Sequence, residues 1–107
     1  ELNEEALCRI LTEPKNAISK QYQRLFELDG IKLHFEPESI KAIARKALKR
    51  ESGARGLRAI LEEVMTDVMF EAPMQKTVDM ITVTESVITG TQKPIYSYAR
   101  KKAAEPA

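Results

Sequence analysis

Apolar positions in this chain fall at helical spacing in four stretches and alternate in a fifth. Leu7, Ile10 and Leu11 follow Asn3, a good N-cap, and Glu4 and Glu5, whose charges suit the positive end of a helix. A short helix over 3–12 is expected. Pro14 stops it and fits the first turn of a second helix, in which Ile18, Tyr22, Leu25 and Phe26 repeat at i, i+4, i+7 and i+8 until about Leu28. Asp29-Gly30 signals a turn, after which Ile31, Leu33 and Phe35 alternate with Lys32, His34 and Glu36 in the period of a half-buried strand. Pro37 opens a third helix with the stripe Ile40, Ile43, Ala44, Ala47 and Leu48. A loop at Arg50-Glu51-Ser52-Gly53 breaks that helix. The fourth and longest helix carries Leu57, Ile60, Leu61, Val64, Met65, Val68 and Met69 and ends before Pro73. Residues 79–83 and 94–98 have the composition of strands.

This order does not alternate strand and helix as a βαβ series would. The expected fold is α+β, four helices with a small sheet of two or three strands. A length of 107 residues, 43% of them hydrophobic and 31% charged, suits one soluble domain. Residues 1–98 are expected to form it, and 99–107, without an apolar repeat, to be a flexible tail. No apolar run approaches the roughly 18 residues of a membrane span, and the N-terminus lacks the layout of a signal peptide. The chain starts at Glu1 and its first methionine is Met65, so it is expected to be a piece of a longer protein.

Candidate chemistry is sparse. Cys8 is the single cysteine and His34 the single histidine, which excludes an internal disulfide and a Cys/His metal site of ordinary spacing and fits a reducing compartment. No phosphate-binding loop of the G-x-x-x-x-G-K-[ST] type and no G-x-G-x-x-G occurs, so a complete nucleotide site is excluded. Glu62 and Glu63 are adjacent carboxylates, but neighbours on a helix diverge by about 100° and cannot serve one bond. Net charge is only +1. It is unevenly placed, however: Lys41, Arg45, Lys46, Lys49, Arg50, Arg55 and Arg58 crowd the third helix and the start of the fourth, while acids dominate 62–85. No aromatic side chains interleave with these cations to stack bases, which argues against nucleic acid.

The informative stretch is the junction SGARGLR at 52–58. Gly53 and Gly56 give the backbone freedom to turn and let another surface come close. Arg55 between them stands near a helix start, where unpaired amides and the helix dipole already favour an anion, and its guanidinium adds a planar fork of donors. Arg58, Ala59, Glu62 and Thr66 continue a strip opposite the apolar stripe, so Arg55 and Arg58 are expected to face outward. On spacing alone, an arginine in this position is more commonly a solvated residue or the partner of a neighbouring acid than a phosphate ligand.

The runs EPKNAISKQYQRLF at 13–26, GARGLR at 53–58 and DVMFEAP at 67–73 closely resemble the C-terminal small domain of the ClpX family of AAA+ unfoldases, which feed the ClpP peptidase. The likeness spans 2–98. It implies the small (lid) domain fold, with Arg55 as the sensor 2 arginine directed at the phosphates of ATP held mainly by a large domain. Gly53, Ala54, Gly56 and Arg58 form its supporting loop. The resemblance further implies ATP and magnesium as cofactors of the full-length protein, none bound to this piece alone, and no catalytic residue within it. Implied partners are the large domains of the same and neighbouring subunits in a homohexamer, ClpP and protein substrates, in the cytoplasm, with no role for nucleic acid or membrane. The alternative is a free-standing protein-interaction module.

Overall fold

The computed structural model describes residues 3–71 and 78–98. Helix α1 (Glu4–Thr12) opens as its sequence dictates, with the Asn3 side chain accepting the Ala6 N–H at 2.8 Å and two glutamates in the first turn. Its last carbonyls are closed from outside the helix: the Ser19 hydroxyl donates to the Leu11 carbonyl at 2.7 Å. Helix α2 (Ile18–Leu28) begins later than the proline implied, because Ala17 is extended at ψ 148° and the chain restarts there. Residues 13–17 form instead a turn in which the Ala17 N–H bonds the Pro14 carbonyl.

Three helix ends share one device. After α2, Gly30 at φ 76° lets the Ile31 N–H reach the Phe26 carbonyl and its own N–H reach Glu27. Gly90 at φ 83° closes the short α5 (Glu85–Thr89) in the same way. After α3 (Pro37–Lys49), the pattern recurs with a side chain at the left-handed position: Glu51 sits at φ 57° while the Ser52 N–H bonds Ala47 and the Glu51 N–H bonds Leu48. Glu51→Gly should therefore stabilise the chain by up to about 1 kcal/mol, the left-handed penalty of a side chain less the flexibility of glycine. Thermal melting checks this; an unchanged or lower midpoint would mean that the Glu51 side chain contributes something the backbone does not reveal.

Among the described residues the sheet has three strands in the order β1-β2-β3, formed by β1 (Lys32–Phe35), β2 (Val78–Val83) and β3 (Ile95–Tyr98). β1 and β2 run parallel, pairing Leu33 with Ile81 and Phe35 with Val83, and α3 and α4 (Gly53–Glu71) form the crossover between them. The sequence order had pointed away from any such crossover; two helices in succession, rather than one, make the connection. β3 returns antiparallel to β2 through α5, which makes five described helices against the four expected. Its five residues are too few for an apolar period, although Thr84 before it and Gly90 after it are serviceable start and stop signals.

Leu33, Phe35, Ile81 and Val83 alternate onto one face of the sheet and join Leu7, Leu11, Ile43, Leu57, Ile60, Leu61, Met65 and Val68 in a single core. His34 points the other way, as the alternation requires. The flanks of the predicted helical stripes behave differently from their centres: Leu25, Leu48 and Met69 are 57%, 38% and 54% exposed. Met69 stands about 120° round α4 from Leu57, at the edge of an apolar arc that the core fills only in its middle. The polar groups inside are satisfied, since Ser19 and Ser39 both donate to backbone carbonyls. Ser19→Ala leaves the Leu11 carbonyl without its partner and should cost about 1–3 kcal/mol. Denaturant unfolding tests this, and a loss below the fitting error would show that water replaces the hydroxyl.

Candidate functional site

The corner between α3 and α4 carries the residues singled out by sequence. Two left-handed backbone positions, Glu51 at φ 57° and Gly53 at φ 60°, turn the chain sharply into α4. The loop expected to extend through Gly53 thus ends one residue earlier, because Gly53 already opens the helix. Gly56 plays a different part from Gly53. It is buried, and a Cβ there would collide with the Ser52 hydroxyl, lie 2.6 Å from the Ser52 Cβ and stand 3.9 Å from the Cβ of Ala47 on α3. Its missing side chain admits the end of α3 and the turn after it, rather than conferring flexibility. The Ser52 hydroxyl is directed back to the Ala47 carbonyl at 3.4 Å, tying the corner to α3.

Arg55 is exposed on the third residue of α4, on the side opposite the buried Leu57, Ile60, Leu61 and Val64. Among the described residues no carboxylate pairs with it, and no hydrogen bond holds its guanidinium. Of the roles open on spacing, that of a locally paired arginine is the one this geometry lacks. Ala54, Arg58, Ala59, Glu62 and Thr66 are exposed as well, so the outward strip follows the expected pattern.

Two flanking features escaped the linear reading. On the α2 side lies Tyr22, half-buried; burial, then the Glu62 carboxylate, push its phenol upward in pKa, partly offset by the Arg58 charge. Arg58 and Glu62 thus border α2 as well as solvent. On the α3 side Arg50, the residue capping that helix, grips Glu63 of α4 with both arms of its guanidinium, Nη1 to Oε2 at 3.2 Å and Nη2 to Oε1 at 3.1 Å. Hydrogen bonding to Arg50 holds the Glu63 carboxyl below the usual carboxylate range, while Glu63 raises the Arg50 guanidinium. A separation of 13 residues has no sequence signature; only the hairpin of α3 and α4 brings the two together.

The remaining cations of α3 are largely engaged. Arg45 bridges Glu4 of α1 and Glu85 of α5 at 3.2 and 3.7 Å, and the Lys46 ammonium donates to the Ile88 carbonyl at 3.1 Å. The basic stretch thus fastens neighbouring helices to α3. Cys8 is half-buried, and its thiol is pushed up in pKa by burial first and Glu4 next, which makes it a poor nucleophile. Among the described residues no three or more His, Cys, Asp or Glu gather where they could hold a metal ion, and no helix is long and apolar enough to cross a membrane.

Comparison with known proteins adds to this geometry. The sequence profile of the C-terminal, D2-small domain of ClpB protein matches residues 2–85. The chain is 45% identical over 101 residues, 94% of its own length, to the ATP-dependent Clp protease ATP-binding subunit ClpX 2 of Wolinella succinogenes. It spans 25% of that relative.

Proposed function

Since this chain belongs to the C-terminal small domains of the Clp AAA+ ATPases, we propose that it is the lid half of a two-part nucleotide site, with Arg55 as the sensor 2 residue. The observation that carries this reading is an exposed guanidinium, near the start of a long helix and, among the described residues, without a carboxylate partner. The other half is a large domain that binds ATP and magnesium, whose bound triphosphate supplies the phosphoryl group transferred to water. This chain's part is to bind and orient: the Arg55 fork grips phosphate oxygens and stabilises charge on them, and Gly53, Ala54, Gly56 and Arg58 shape and support the turn that presents it. Gain and loss of that grip through the nucleotide cycle changes the angle between the two domains, which converts hydrolysis into motion.

We further assign to this domain a packing surface for the large domain of a neighbouring subunit in a hexameric ring, one that delivers unfolded proteins to the ClpP peptidase in the cytoplasm. Two exposed apolar side chains, Leu28 and Phe70 at 83% and 85% exposure, are available to such a contact. Isothermal titration of the 107-residue chain with ATP should give no heat, and the same titration in the presence of the large domain should give a saturable one. Tight binding of ATP to the chain alone would overturn the division of the site between two domains.

A further inference from the structure

The geometry points to the Arg50–Glu63 fork as a positioning device that sets the roll of α4 and so aims Arg55, a role that rests on the reading of Arg55 as a phosphate-binding residue. The buried Leu57, Ile60, Leu61 and Val64 fix which face α4 turns to the core, but apolar attraction is itself non-directional and leaves the fine adjustment of roll to directional contacts. Rotation is what decides where Arg55 points. A bidentate guanidinium–carboxylate pair, by contrast, has a fixed planar geometry. Arg50 is anchored on the cap of α3, and Glu63 stands on the α3 flank of α4, about 80° round from Arg55 and eight residues further along. Between them lies the corner with its two left-handed residues, Glu51 and Gly53, the place where α4 would swing if released. The opposite flank offers no counterpart: among the described residues, Arg58 and Glu62 form no ion pair with α2.

Both partners are substantially exposed, so the pair's effect is modest and screened by salt. In the intact ATPase, Glu63→Gln and Arg50→Gln should each raise the KM for ATP about two- to fivefold with a smaller change in kcat. The reversed pair, Arg50→Glu with Glu63→Arg, should recover part of the loss, and the difference from wild type should shrink in 1 M salt, where screening acts within about 3 Å. A brace that merely stabilised the fold would lower the melting temperature and leave KM alone. Arg55→Ala, measured alongside, separates the two levels. If it raises KM while both single variants stay at the wild-type value, or if the reversed pair recovers nothing, the positioning role is wrong and the phosphate role stands. If Arg55→Ala itself behaves as wild type, the underlying reading fails.

Discussion

Replacing Arg55 with alanine in the intact ATPase should raise the KM for ATP, lower its hydrolysis by about a hundredfold or more and abolish protein unfolding, the scale seen when one preorganised donor to developing charge is removed. The effect is expected to be large because α4 presents the guanidinium without a local competitor: no carboxylate among the described residues has to be displaced before it meets a phosphate. Arg55→Lys should fall between, since a lysine keeps the charge but not the planar fork. Because Arg55 is exposed and, among the described residues, makes no hydrogen bond or ion pair, both variants should melt with the wild-type chain. Steady-state ATPase rates and unfolding of a tagged substrate read the result, with equal melting curves as the control. Wild-type turnover by Arg55→Ala would remove the residue from the site.

A loss of stability is expected when Gly56 gains a side chain. Alanine there gains up to about 1 kcal/mol of helix propensity, but its Cβ must occupy space held by Ser52. The Ser52 hydroxyl can rotate away; its Cβ, 2.6 Å from the new methyl, moves only with the backbone of the corner. Forced overpacking of this kind costs about 1–3 kcal/mol, so Gly56→Ala should be net destabilising, and each kcal/mol lost lowers the midpoint by about 4–8 °C in a domain of this size. The diagnostic partner is Ser52→Gly, which removes the colliding atoms. In that background, Gly56→Ala should become neutral or stabilising. Additive effects of the two substitutions would show that the close approach at Gly56 is not what excludes a side chain.

How far the sequence revealed this molecule depends on the range of the interaction involved. Asn3 capping α1, Gly30 ending α2 and the stripe from Leu57 to Val68 act within a few residues, and each is legible from spacing. The class α+β and the outward strip through Arg55 follow from the same local rules. Where the reading departed, a distant partner decided. Leu25, Leu48 and Met69 fit the helical period yet remain exposed, because only the packing of other helices determines how wide an arc each one buries. The parallel pairing of β1 with β2 joins strands more than forty residues apart in sequence, with α3 and α4 between them, and α5 is shorter than two turns. Around the site, the glycines were recognisable but their different tasks were not: Gly53 adopts a left-handed backbone, whereas Gly56 yields room to Ser52. The Arg50–Glu63 fork and the Tyr22 flank exist only once α2, α3 and α4 are assembled.

The central claim is physical contact between Arg55 and a triphosphate that another domain holds. A structure of the intact ATPase bound to a slowly hydrolysed ATP analogue measures it directly. We expect a guanidinium nitrogen of Arg55 about 2.7–2.9 Å from a phosphate oxygen, as charge-assisted hydrogen bonds require. Arg55 turned to solvent or paired with a carboxylate, in a subunit whose phosphates are gripped by other side chains, would contradict the account.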